Sequence, residues 1–293
     1  HLCSRLTNEN ILVHGLDNLN SYYDVQLKKN RLKILKDLEN FEFYKLDLKD
    51  NLKLKQLFKK NKYDIVINLA AQAGVRYSIT NPKTYFDSNI LGFYNLINNL
   101  VNSNVKHFLF ASTSSVYGAC NKFPIKENYN TDNPLSFYAA SKKINETIAY
   151  SYSNIHKIPV TGLRFFTVYG PYGRPDMSIF KFTDKIIKNK EIELYNKGNH
   201  YRDFTYIDDI IETIYRLLDK SPKNNPPYNI FNIGGGNDIY LKNLVKLIEK
   251  NLNKKAKIKY IEKQIGDVHK TKASKNKLYK KINFYPKTNI EKG

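Results

Sequence analysis

The sequence predicts an α/β protein: a doubly wound parallel sheet followed by a smaller C-terminal α/β domain. Short apolar runs alternate with longer segments of helical periodicity through the first two thirds of the 293 residues. That alternation implies right-handed crossovers between parallel strands. Beyond residue 170 the pattern loosens at Pro171, Gly173 and Pro175, which marks a change of domain. The expected boundary separates residues 1–167 from 168–293, with a later stretch, about 202–236, returning to the first domain.

Taken in order, Ile11-Leu12-Val13 opens a strand that ends at Gly15-Leu16-Asp17. Val25, Leu27, Leu32, Ile34, Leu35 and Leu38 recur at near-helical spacing and predict a helix over 24–39. Residues 41–46 read as a strand with Asp47 at its end, 51–60 as a helix, and 63–69 as a buried strand. A long helix follows Pro82 through Leu100, and Val105 to Ala111 is a strand. Residues 136–156 form a long helix and Pro159 to Phe165 a further strand. Beyond residue 170 the sequence predicts a helix near 178–188, short strands around 191–206, helices over 207–219 and 240–252, and a strand over 228–233.

The net charge of +21 raises the question of a nucleic-acid partner. No zinc finger, RNP-type motif or long arginine tract accompanies it, so the charge is read as abundant lysine. The densest runs, Lys53 to Lys62 and Lys254 to Lys259, are expected to be solvated helix faces or a helix-to-strand turn. No apolar run reaches the ~18–20 residues of a membrane span. Cys3 and Cys120 form no CxxC pair, which favours a reducing cytoplasm over a disulfide scaffold. The His residues show no metal-ligand spacing, and His107 reads as structural.

The chemistry is carried by Tyr138-Ala139-Ala140-Ser141-Lys142. On a helix this spacing puts Tyr138 and Lys142 one above the other. A phenol with a pKa near ~10 is a poor base at neutral pH. An ammonium at ~6 Å and an effective dielectric of ~20 favours the phenolate by about 3 kcal/mol, or roughly two pKa units. The strand ending at Ala111 runs into Ser112-Thr113-Ser114-Ser115, hydroxyls at the carboxyl end of a parallel strand, where such sheets bind ligands.

Thr113, Tyr138 and Lys142 resemble the Ser/Thr-Tyr-Lys triad of the extended short-chain dehydrogenases. Residues 69–78, 163–171, 173–177, 202–209 and 266–268 resemble the motifs of the UDP-glucuronate 4-epimerase subgroup. The resemblance covers nearly the whole chain and implies a Rossmann-like NAD-binding domain with a C-terminal nucleotide-sugar domain. Such a sheet begins with a strand and a Gly-rich turn that lets the backbone approach a pyrophosphate. Neither is present here, so an N-terminal truncation is expected. Gly234-Gly235-Gly236 lies too late and lacks the spacing; a tight loop is the stronger reading, a phosphate cradle the weaker.

The resemblance also assigns roles. Asp17 takes the adenosine ribose, which selects NAD, with Asn18 beside it. Asp47 and Leu48 flank the adenine. Leu69, Ala70, Ala71 and Gln72 line the middle of the cofactor, and Asn89 sits near its diphosphate. Lys142 holds the nicotinamide ribose and Phe165 packs by the nicotinamide; plain core packing is an equal reading for Leu69 and Phe165. On the substrate side Arg202 pairs with the UDP diphosphate, Tyr195 stacks on uracil, Asp267 binds ribose, and Arg174 faces phosphate or sugar.

The implied reaction is inversion at C4 of UDP-glucuronate through a 4-keto intermediate, Tyr138 removing and returning the 4-hydroxyl proton. Two alternatives stay open: a UDP-glucose or UDP-N-acetylhexosamine 4-epimerase, and an inactive nucleotide-sugar-binding fragment. Dehydration is disfavoured because Ser114-Ser115 stands where dehydratases carry Asp-Glu. The resemblance further implies a cytoplasmic homodimer serving polysaccharide biosynthesis, joined through the helices at 82–103 and 136–156. Ile90, Leu91, Leu96, Ile97, Ile144 and Ile148 fit that interface or the sheet equally. Ser114, Ser115 and Thr167 offer hydroxyls to the sugar carboxylate, and Thr167 stands where glucose-type enzymes tend to have Asn. Thr167→Asn is therefore expected to shift preference from UDP-glucuronate toward UDP-glucose. An unchanged ratio of kcat/KM for the two sugars refutes that role.

Overall fold

The structure, a computed structural model, describes residues 1–264 and 266–293. Its contacts divide the chain into two compact units. The first holds His1–Thr113, Ser136–Arg164 and Ile211–Phe231; the second holds Ser114–Leu135, Phe165–Ile210 and Asn232–Gly293.

The first unit begins α1 (Leu2–Asn8), β1 (Val13–Asp17), α2 (Val25–Lys36), β2 (Phe41–Lys45), α3 (Asn51–Lys60) and β3 (Ile65–Asn68). Next come α4 (Tyr77–Thr80), α5 (Pro82–Tyr85), a π-helical turn (Phe86–Leu91), α6 (Gly92–Leu100), β4 (His107–Thr113), α7 (Phe137–His156) and β5 (Val160–Phe165). The second unit takes up the chain with β6 (Thr167–Tyr169), α8 (Ser178–Ile187), β7 (Glu191–Tyr195) and β8 (Tyr201–Tyr206). Through α9 (Ile207–Leu217) and β9 (Tyr228–Ile233) the chain passes back to the first unit, then returns for β10 (Asp238–Tyr240), α10 (Leu241–Leu252), β11 (Lys257–Ile261) and α11 (Asn276–Ile282).

In the first unit β1 and β2 form a parallel pair, with Asp17 level with Lys45. Strands β3, β4, β5 and β9 form a four-stranded sheet in that order, β3 and β4 parallel with Ile65 level with His107. Strand β4 is buried along nearly its whole length, as expected for a parallel strand covered on both faces. Phe108 and Phe110 stack at 6.0 Å, and Phe93 of α6 packs against both. Leu96, Ile97, Leu100, Val105, Ala149, Ile158 and Val160 complete that core. His107 is structural: its ring nitrogens bond Thr161 Oγ1 at 2.8 Å and the Leu218 carbonyl at 3.0 Å. The Lys53–Lys62 run is the expected solvated face, with Lys53, Lys55, Lys59 and Lys60 exposed on α3 while Leu54 is fully buried.

In the second unit β8 pairs parallel with β6 and antiparallel with β10, while β7 pairs parallel with β11. Phe182, Ile186, Ile192, Leu194, Phe204, Leu244, Val245 and Ile248 form its larger core. Asp203 of β8, fully buried, accepts from the backbone N–H of Gly235 at 3.0 Å, Gly236 at 2.9 Å and Ala273 at 2.8 Å. Burial pushes its carboxyl up to about 6, the three amides pulling the other way. The glycine run is thus a tight loop closed on an internal carboxylate.

Two expectations are corrected. Ile11 and Leu12 are exposed and precede the strand, which starts where Val13 N–H bonds the Asn40 carbonyl at 2.8 Å. The helix after Pro82 is not regular but widens into the π turn at Phe86–Leu91. The Lys254–Lys259 run is the expected helix-to-strand turn: it follows Asn253, at φ 49°, and runs into β11, where half-buried Ile258 lies between exposed Lys257 and Lys259.

Candidate active site

The helix that carries Tyr138 starts where Ser136 caps it: the Ser136 hydroxyl accepts from Ala139 N–H at 3.2 Å. Tyr138, on its first turn, packs edge-on against Tyr85, ring centroids 6.1 Å apart. Tyr85 is fully buried, and its hydroxyl donates to the carbonyls of Ala73 and Gly74. The same ring therefore supports the phenol and fixes the loop after β3. Gly74 sits at φ 106° with Tyr22 and Tyr85 against it, a conformation a side chain rarely adopts.

One turn on, Lys142 is buried, and its ammonium donates to the Ala111 carbonyl on β4 at 2.8 Å. Burial pushes the amine down to about 8, which leaves it protonated at pH 7 and near its own titration point. Ala111 lies two positions before Thr113, the buried last residue of β4. The three residues of the sequence motif thus meet within the first unit: Thr113 ends the strand that Lys142 grips, and Tyr138 stands a turn before Lys142.

The first unit also carries all but Phe165 of the residues assigned to a dinucleotide. Asp17 ends β1, where its carboxylate accepts from Leu19 N–H at 2.6 Å. The Asn18 amide donates to Asp47 at 3.0 Å and so joins the ends of β1 and β2. Leu48 buries its side chain with Leu46 and Leu54, and its carbonyl accepts from the buried Asn95 amide at 3.0 Å. Leu69, Ala70 and Ala71 are exposed at the carboxyl end of β3; Leu69 is 45% exposed, so core packing is not its role. Phe165 is half-buried. A carboxylate at the end of β1, exposed small residues past β3 and a buried amine suit an extended ligand carrying ribose hydroxyls.

Asn89, within the π turn, spends its side chain on protein. It accepts from Gln72 N–H at 2.7 Å and donates to the Gln72 carbonyl and the Ser141 hydroxyl, each at 2.9 Å. Its own carbonyl accepts from the Asn145 amide at 2.6 Å. These bonds lock the strand-end loop onto α7.

The second unit holds the residues assigned to the sugar nucleotide. Ser114 and Ser115 lie on a 3-10 turn after β4, and Thr167 begins β6. Tyr195 ends β7, half-buried, its hydroxyl donating to Glu193 at 3.3 Å. Arg202 bonds the carbonyls of Tyr201 and His269 and stands 3.9 Å from Asp267, so these two assigned residues are neighbours. Arg174 is held in a fork by Asp176, at 2.9 and 2.8 Å, which orients its guanidinium.

Sequence reasoning gave no role to Tyr85, Glu146, Arg164 or Asp203. Glu146 and Arg164 form a buried bidentate pair, both contacts at 2.8 Å. The available signals were a helix stripe of Tyr138, Lys142 and Glu146 at four-residue spacing, and a charge set between apolar strand residues Leu163 and Phe165.

The fold and this triad define a nucleotide-sugar-modifying enzyme of the short-chain dehydrogenase type. Residues 1–234 match the NAD dependent epimerase/dehydratase family, and the chain belongs to it. Among its relatives, Protein CapI of Staphylococcus aureus is 45% identical over 307 aligned residues, covering 100% of this chain and 92% of the relative. The UDP-glucuronate 4-epimerase of Thermodesulfobacterium geofontis is 43% identical, over 98% of this chain and 88% of the relative. The fold is similar to the crystal structure of the UDP-glucuronic acid 4-epimerase of Bacillus cereus in complex with UDP-glucuronic acid and NAD. That similarity has a TM-score of 0.93 at 29% identity, over 100% of this chain and 92% of that one.

The Lys142 environment sets a pH dependence. Its folded pKa of about 8 lies below the unfolded value, so over that interval the unfolded chain binds more protons and stability rises with pH. The unfolding free energy of the wild type is expected to gain up to about 3 kcal/mol on Lys142→Met between pH 8 and 10.5. Denaturant melts of both chains across that range measure it, and a flat difference contradicts it.

Proposed function

We propose that the protein is an NAD-dependent UDP-glucuronate 4-epimerase, interconverting UDP-glucuronate and UDP-galacturonate. The observation that carries the reading is the buried Lys142 ammonium beside Tyr138 at the carboxyl end of β4. It is supported by the family and by relatives named as UDP-glucuronate 4-epimerases, one of them as probable, at 40–43% identity.

NAD held by this unit would supply a hydride acceptor and donor for C4 of the sugar, so that the stereocentre can be inverted with no net redox change. Tyr138 removes the 4-hydroxyl proton and later gives it back, its phenolate favoured by Lys142. Thr113 holds the same sugar oxygen by a hydrogen bond. Asp17, with Asn18 and Asp47, takes the adenosine end of NAD; Leu48 flanks the adenine, and Leu69, Ala70, Ala71 and Gln72 line the middle. Asn89 acts near the diphosphate by fixing Gln72. Phe165 packs by the nicotinamide. Arg202 and Arg174 take the anionic groups of the substrate, Tyr195 the uracil, Asp267 the ribose, and Ser114, Ser115 and Thr167 the sugar carboxylate.

The two free cysteines suit a reducing cytoplasm. Among the described residues, no helix is long and apolar enough to cross a membrane. We propose a homodimer interface on the helical stretch 82–103 and on α7. Of the six apolar positions, Leu96 and Ile97 are core, whereas Leu91 and Ile144 are 38% and 37% exposed, with Tyr94 and Tyr150 also exposed. Sedimentation is expected to give a dimer that Leu91→Glu with Ile144→Glu converts to monomer; a monomeric wild type contradicts it.

The activity is tested by incubating the protein and NAD with UDP-glucuronate and following the sugar by proton NMR. The expected product is UDP-galacturonate, with no net NADH. NADH accumulating in proportion to the sugar consumed, or no inversion at C4, refutes the reading.

A further inference from the structure

Three elements of the first unit meet at one buried carboxylate below the catalytic groups. Glu146 lies on α7 one turn beyond Lys142, as Lys142 lies one turn beyond Tyr138. Its Oε1 accepts from the Ser112 hydroxyl of β4 at 2.6 Å and from Arg164 Nε of β5 at 2.8 Å; its Oε2 accepts from Arg164 Nη2 at 2.8 Å. Both charged side chains are 6% exposed. Ser112 immediately precedes Thr113, and Ala111, on its other side, is gripped by Lys142.

A buried ion pair is a poor source of stability, because desolvation offsets most of the attraction and apolar side chains of equal volume do as well. What the pair supplies is geometry. A forked guanidinium and a carboxylate have one good mutual arrangement, and the third hydrogen bond extends it to the strand end that presents Thr113. Together with Lys142 and Ala111, it ties α7 to β4 at two successive points, one turn apart on the helix. Both points flank the residues between which a sugar hydroxyl must sit, and sub-ångström placement there governs rate.

We propose that Glu146 is a positioning residue for the reaction, holding Ser112 and hence Thr113 in register with Tyr138 and Lys142, with Arg164 as its fixed counter-charge. The inference rests on the reading of Thr113, Tyr138 and Lys142 as the catalytic set. The pair, one turn beyond Lys142 on α7, brings no net charge of its own to the interior. The groups facing Glu146 are Ser112 from β4, Arg164 from β5 and Tyr228 from β9, whose phenol is pushed up by burial and by the Glu146 charge. On α7 itself the charged neighbour is Lys142.

Ser112→Ala removes the strand-end link and leaves the ion pair intact. Its kcat is expected to fall about tenfold with KM and the melting temperature held. An unchanged kcat overturns the proposal, and so does a lowered melting temperature with unchanged kcat, which would make the link a plain structural tie. Glu146→Gln keeps an acceptor for Ser112 but removes one negative charge from the turn beyond Lys142, so the Lys142 amine is expected to titrate at lower pH. Lysine-selective NMR, assigned with Lys142→Met, reads this without turnover, and an unmoved titration overturns the neutralising role. If the wild type inverts no sugar, the epimerase reading fails and takes the positioning role with it, while the titration still decides the charge-balancing role. If the wild type is active and both variants match it, the clamp alone fails.

Discussion

A single ammonium buried at the end of a strand governs much of the first unit. Lys142 enters the interior with a backbone carbonyl, Ala111, as its hydrogen-bond partner on β4, and burial alone moves its amine most of the way toward neutral pH. A charge so placed is costly unless its surroundings are rigid. The rigidity is visible around it: Ser136 fixes the start of α7, Tyr85 backs Tyr138, Asn89 and Asn145 join the β3 loop to the helix, and Glu146 with Arg164 secures the next turn. Each group is small in energy. Their effect is to hold Tyr138 and Lys142, one helical turn apart, in a single arrangement at the strand end.

Much of the fold was legible because it follows from periodicity. Residues 51–60 and 228–233 form the expected helix and strand to the residue, and the long helix at 136–156 begins one residue late only because Ser136 is its cap. The elements that escaped are short or disguised. Strands β6 and β10 span three residues each, too few for a pattern, and β11 hides its apolar side inside a lysine run. The π turn has no sequence signature of its own: it depends on Asn89 finding Gln72 and Ser141, partners far away in the chain.

The site was legible to the extent that its chemistry recurs as a motif. Tyr138 and Lys142 could be found from spacing; Thr113 needed the strand before it. The supporting groups were invisible for a physical reason. Glu146, Arg164, Tyr85 and Asp203 act through partners contributed by other elements, and a charged residue in a sequence reads as surface until burial is known. Leu69 shows the reverse: an apolar residue after an apolar strand reads as core, yet it ends up exposed where the strand stops.

The loop at Gly234-Gly235-Gly236 illustrates how a fold can use anion-binding geometry on itself. Consecutive backbone N–H groups converge there, as they do in loops that capture phosphate, but Asp203 supplies the negative charge from within. The donors are saturated before any solute arrives. Searching for nucleotide sites by glycine content would therefore point to the wrong end of this chain, since what such a loop can hold is decided by whether a neighbouring strand has already filled it.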